Sequence, residues 1–146
     1  MQILLTSDET GRQFSLIEGI MPPGGDGGLH VHLNEDESML LMDGELEVTV
    51  GEQTFTLTPG GRYFAPRGIP HRLQNRKDVP ARALLITTPG GFDAFISQVG
   101  IPLGEDAPPT PPTAPIAEQM AELSKVAEKY GIKIVPTPSP STQSAS

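Results

Sequence analysis

The sequence predicts an all-β protein with about eight short strands, the number that builds a jelly roll, followed by one carboxy-terminal amphipathic helix. Three observations carry this reading. Short alternating or β-branched apolar segments, punctuated by glycine, proline and Asx turns, fill the chain as far as Pro89. A helical period appears only later, at residues 116–130, where Ile116, Met120, Leu123, Ala127 and Tyr130 recur at alternating steps of four and three. And all three histidines fall within strand-like segments.

Residues 13–21 read as the first strand, ending at Pro22, Pro23 and the glycine-rich turn that begins at Gly24. His30 and His32 are two residues apart, so on a strand both imidazoles leave the same face while Val31 leaves the other. Leu33, Asn34, Glu35 and Asp36 suit a turn, after which a strand over residues 37–42 brings the Glu37 carboxylate back beside the imidazoles. An acidic trio such as Glu35, Asp36 and Glu37 is usually a solvated turn, and only spacing and strand position select Glu37 from it. Asp43 and Gly44 are a hairpin signal. Residues 45–50 then alternate, Leu46, Val48 and Val50 against Glu45, Glu47 and Thr49. Gly51 and Glu52 turn the chain again, and residues 53–57, 62–65, 71–74 and 81–87 complete the strands. His71 arrives on one of these, after a corner shaped by Pro66 and Gly68.

The spacing of these residues is specific. Gly24, five residues, His30, one residue, His32, four residues, Glu37, six residues, Gly44 form a first motif; Gly60, five residues, Pro66, Arg67, Gly68, two residues, His71, three residues, Asn75 form a second. At every defining position they resemble the paired signature motifs of the cupin superfamily, and the 15 residues at 45–59 that separate them resemble the short spacing of small single-domain cupins. The resemblance covers residues 24–75 and extends through strand-like flanks to roughly residues 10–90. It implies a cupin-type jelly-roll β-barrel with one divalent transition metal inside (Fe, Mn, Ni, Co, Cu or Zn), held by His30, His32, Glu37 and His71. Three imidazoles and a carboxylate suit any of these ions and leave coordination positions open.

Composition sets the outer limits. With 146 residues there is room for one domain with a core. Eighteen acidic against ten basic side chains give a net charge of −8, which disfavours nucleic acid and anionic membrane as partners. The absence of cysteine excludes disulfides and thiolate zinc cages. No leader-like amino terminus or membrane-length apolar run is visible, so a cytoplasmic protein is expected. The expected organisation is a barrel domain over residues 1–100, a proline-rich linker over 101–115, a helix and short extended segment over 116–135, and a disordered tail over 136–146.

Other residues have plainer readings. Leu40 and Met42 are apolar on the strand face opposite Glu37, Met39 and Leu41, which suggests a covered surface and a homodimer. Met39, Leu41, Val48, Phe64 and Leu73 are ordinary core or the lining of a cavity over the metal. Phe92 and Phe95 cap the barrel mouth or pack a helix. Asn75 reads as a turn residue, and Arg62, Arg67 and Arg72 as surface charges. A small-molecule substrate follows from an open site. Resemblance to quercetin dioxygenase-like cupins implies an oxidoreductase acting on an aromatic or enolic substrate, with Glu37 as ligand and general base. A non-redox isomerase, cyclase or decarboxylase, or a ligand-binding module without turnover, are the other classes the residues permit.

Overall fold

The computed structural model describes residues 1–99 and 117–135. Along them run β1 (Gln2–Leu5), β2 (Ser15–Met21), β3 (His30–His32), β4 (Asp36–Asp43), β5 (Leu46–Val50), β6 (Gln53–Leu57), β7 (Arg62–Ala65), β8 (His71–Gln74), β9 (Ala81–Thr88), α1 (Phe92–Val99), α2 (Ala117–Lys129) and β10 (Ile132–Ile134). All pairings are antiparallel and form two five-stranded sheets, ordered β1-β2-β9-β4-β7 and β10-β3-β8-β5-β6. The jelly roll is therefore a sandwich of two facing sheets, not closed by hydrogen bonds into one barrel.

Alternation decides what the sandwich encloses. On β4 the side chains of Glu37, Met39 and Leu41 are buried, while Leu40 and Met42 are exposed. Ile17, Leu41 and Val48 are completely buried between the sheets, each contributing about 1.5–3 kcal/mol of apolar transfer energy. The β4–β5 turn depends on Gly44, whose φ is 83° and where a Cβ would lie 2.5 Å from the Pro80 carbonyl oxygen. Only glycine meets both demands.

The carboxy-terminal elements dock on this body. Phe92, Phe95 and Ile96 bury one face of α1, and Asp93 in its first turn accepts hydrogen bonds from the Ser7 amide and hydroxyl. On α2, Ala127 is buried, and Tyr130 just beyond it packs its ring at a tilt against Phe95 and donates to Gln98. The short strand expected near residue 132 is present. As β10 it pairs with β3, Ile132 opposite His32 and Ile134 opposite His30. The expected linker at 101–115 and tail at 136–146 lie outside the described residues.

Candidate metal centre

Sheet pairing gathers the histidines. His30 on β3 is the direct cross-strand partner of His71 on β8, so their side chains leave the same face, and His32 two residues along β3 joins them. One nitrogen from each ring lies within 4.8 Å of one from every other. Ring centroids are 4.3 Å apart for His30–His71, 5.1 Å for His30–His32 and 5.2 Å for His32–His71. The second-motif corner is tied to the first motif at two points: the Gly68 amide donates to the His32 carbonyl at 2.8 Å and the Arg67 amide to Asp36 at 2.8 Å. That is how a loop distant in sequence sets His71 beside His30.

Glu37 takes a different route from the one expected. β3 and β4 are not hairpin partners but belong to opposite sheets, so the carboxylate reaches the imidazoles across the sandwich. Its Oε2 lies 3.1 Å from His71 Nε2, out of line for a hydrogen bond, and its Oε1 lies 3.8 Å from His32 Nε2. Of the four side chains predicted from spacing, the three histidines gather on one sheet, and Glu37 approaches two of them, His71 and His32, from the other.

The electrostatics suit a cation. Burial opposes ionisation of Glu37, but the neighbouring His71 and His32 and the hydroxyl of Tyr63 outweigh it and hold the carboxyl at about 2. Burial, and then repulsion from His71, lowers His30 to about 4, so its ring is neutral near pH 7. The Nδ1 of His30 lies 3.0 Å from the Gly28 carbonyl and that of His32 3.1 Å from a Glu35 carboxylate oxygen. A main-chain carbonyl can only accept, so His30 Nδ1 carries the proton and its Nε2 offers a lone pair. His32 Nε2 and both nitrogens of His71 are buried without a hydrogen-bond partner among the described residues. Orphaned buried nitrogens facing a carboxylate are costly unless something electropositive sits between them. The donor set fits a divalent transition metal.

Two features correct the sequence reading. Phe64 does not line the interior: it is 57% exposed, because pairing of Ala65 with Glu37 fixes the parity of β7 and sends Tyr63 inward. Tyr63 is buried and donates a hydrogen bond to Glu37. Consecutive aromatics fit either face, so periodicity could not choose between them. Glu35 is not a solvated turn residue. It is 4% exposed and partners His32. Phe92 packs as the start of a helix and sets its ring edge-to-face against His32 at 4.9 Å. Asn75 is a turn organiser, donating to the carbonyls of Met21, Pro22 and Val79 and accepting from the Lys77 amide. Arg72 pairs with Asp26 on the surface.

The cupin domain family matches residues 18–87. Quercetin 2,3-dioxygenase of Bacillus subtilis is 31% identical over 119 residues, 77% of this chain but 34% of that protein. The chain thus spans about a third of that relative's length. Among solved structures, a sugar phosphate isomerase from a cupin superfamily of Silicibacter pomeroyi shares 29% identity at a TM-score of 0.51, covering 59% of this chain and 57% of the other. The protein TT1209 of Thermus thermophilus shares 31% at a TM-score of 0.52, covering 60% and 84%.

Proposed function

Because the chain belongs to the cupin superfamily, we propose that it is a metal-dependent oxidoreductase of dioxygenase type, with His30, His32, Glu37 and His71 holding one divalent transition metal for a small aromatic or enolic substrate. The supporting observation is the triad of imidazoles within 4.8 Å, with unpartnered buried nitrogens on His32 and His71 close to the Glu37 carboxylate. Likeness to quercetin 2,3-dioxygenase motivates the substrate class. When bound, the metal supplies Lewis acidity that favours the deprotonated substrate, and redox capacity toward oxygen.

The protein's own groups do the rest. His32, His71 and Glu37 are almost fully buried and His30 only partly, so substrate enters on the His30 side. The buried apolar core between the sheets, Met39, Leu41 and Val48 included, keeps water from the interior that the carboxylate and imidazoles share. Glu37, ionised and held by Tyr63, is a ligand first. To act as base on a substrate hydroxyl, it must turn out of that hydrogen bond and take the proton on the freed Oε2.

Elemental analysis of native protein, followed by oxygen uptake with flavonols and catechols on the Fe, Mn, Co and Ni forms, tests the reading. Uptake with at least one form is expected; no uptake with any refutes dioxygenase activity. The isomerase relative motivates a second reading, non-redox Lewis-acid catalysis, which equal turnover by the Zn form would select.

The same proposal places the protein in the cytoplasm as a homodimer. None of its described helices is long and apolar enough to cross a membrane. Leu40, Phe64 and Ile86 are exposed together on the outer face of the β1-β2-β9-β4-β7 sheet, around a groove of about 560 Å³ that also includes Leu16 and Leu84. Apolar patches of this kind mark association surfaces.

A further inference from the structure

We propose that Glu35 is a positioning residue for the metal centre: its buried carboxylate accepts the Nδ1 proton of His32 and so fixes that ring in the tautomer whose Nε2 faces the other ligands. This rests on the assignment of His30, His32, Glu37 and His71 as ligands.

The two groups are 3.1 Å apart, and their side chains are 2% and 5% exposed. An ionised carboxylate can only accept, so the proton belongs to Nδ1 and Nε2 is left bare. His30 reaches the same state through the Gly28 main-chain carbonyl, which no side-chain change removes, while His71 Nδ1 has no partner among the described residues. Glu35 is therefore the side chain by which this fold sets a ligand's tautomer.

The surroundings are shaped around it. A Cβ at Gly91 would lie 3.3 Å from Glu35 Oε1, and the φ of 149° at Gly91 is one that L residues rarely adopt. The following residue, Phe92, closes on the His32 ring from a second direction, its plane at 76° to the imidazole. With Asp93 bound to Ser7, the first turn of α1 is anchored where it presses on this pair. A buried charge costs desolvation that one hydrogen bond repays only in part. Orienting a ligand gives the carboxylate a use that a neutral turn residue would lack.

Nitrogen-15 spectra of histidine-labelled, metal-free protein, with chelator-competition titrations of Co(II), test the inference. The wild type is expected to show His32 protonated at Nδ1 and bare at Nε2. Glu35→Ala should mix the tautomers and weaken Co(II) binding by about 10- to 100-fold. Glu35→Gln, whose amide oxygen still accepts, should restore most of the affinity. Glu52→Gln, an exposed carboxylate in the β5–β6 turn, should leave it unchanged. A wild-type His32 protonated at Nε2, or a folded Glu35→Ala protein that binds Co(II) as tightly as wild type, overturns the positioning role alone. A wild type that takes up no metal overturns the ligand assignment and this role with it. If Glu35→Ala does not fold, the wild-type tautomer and the Gln variant decide.

Discussion

Replacing Tyr63 by phenylalanine removes one hydroxyl from the interior and with it a hydrogen bond to Glu37. Burial, and then the charge of Glu37, raises Tyr63 well above its ordinary range, so the phenol is a reliable donor. A bond of this kind to a buried charge contributes about 1.5–3 kcal/mol, equivalent to about one to two units at roughly 1.4 kcal/mol per unit. The carboxyl of Glu37, held at about 2 against an ordinary 4.5, should then rise by that amount. Since its folded value is depressed, the stability it confers is fully present above pH 4.5 and is lost as pH falls toward 2. The variant starts with less of that contribution and so has less to lose. Urea denaturation of the metal-free proteins should show Tyr63→Phe weaker by about 1.5–3 kcal/mol at neutral pH, with the gap narrowing on acidification. A negligible gap at neutral pH, or one that stays constant as pH falls, would show that packing and not this bond is what Tyr63 contributes.

Three other outcomes follow from the same geometry. His30 is lowered from 6.5 to about 4 by burial and by His71, so metal-free protein should lose up to about 3 kcal/mol as pH falls through that window; thermal denaturation against pH checks this, and His30→Gln should flatten the profile. Saturating Co(II), at about 100 times its Kd, should raise the unfolding free energy by about 2.7 kcal/mol; His71→Ala or a chelator should abolish the gain in a thermal melt. Phe64→Lys on the exposed apolar face should convert the proposed dimer to monomer in light scattering while leaving metal content per chain intact. Wild-type protein that is already monomeric would refute the interface.

What the sequence made legible is whatever a strand's two-residue period and a fixed spacing can encode. His30 and His32 share a face because they are two apart, and Leu46, Val48 and Val50 lie along one side of β5 for the same reason. What it hid depends on partners. Glu37 could be placed near the imidazoles, but not on the opposing sheet, because sheet membership is settled by pairing among distant strands. The choice between Tyr63 and Phe64 required knowing that Ala65 lies across from Glu37. Glu35 carries the same charge as its neighbours, and nothing local says that α1 will fold over it. The strand β1 is illegible in the sequence because Ile3, Leu4 and Leu5 form an apolar run without alternation.

The pairing of β10 with β3 has a bearing on biosynthesis. β3 meets β8 at a single register position, and among the described residues its other edge is paired by β10, which leaves the ribosome long after His71. A nascent chain can therefore contain every predicted ligand and still lack the strand that pairs beside two of them, so the proposed site is complete only once translation has passed Ile134.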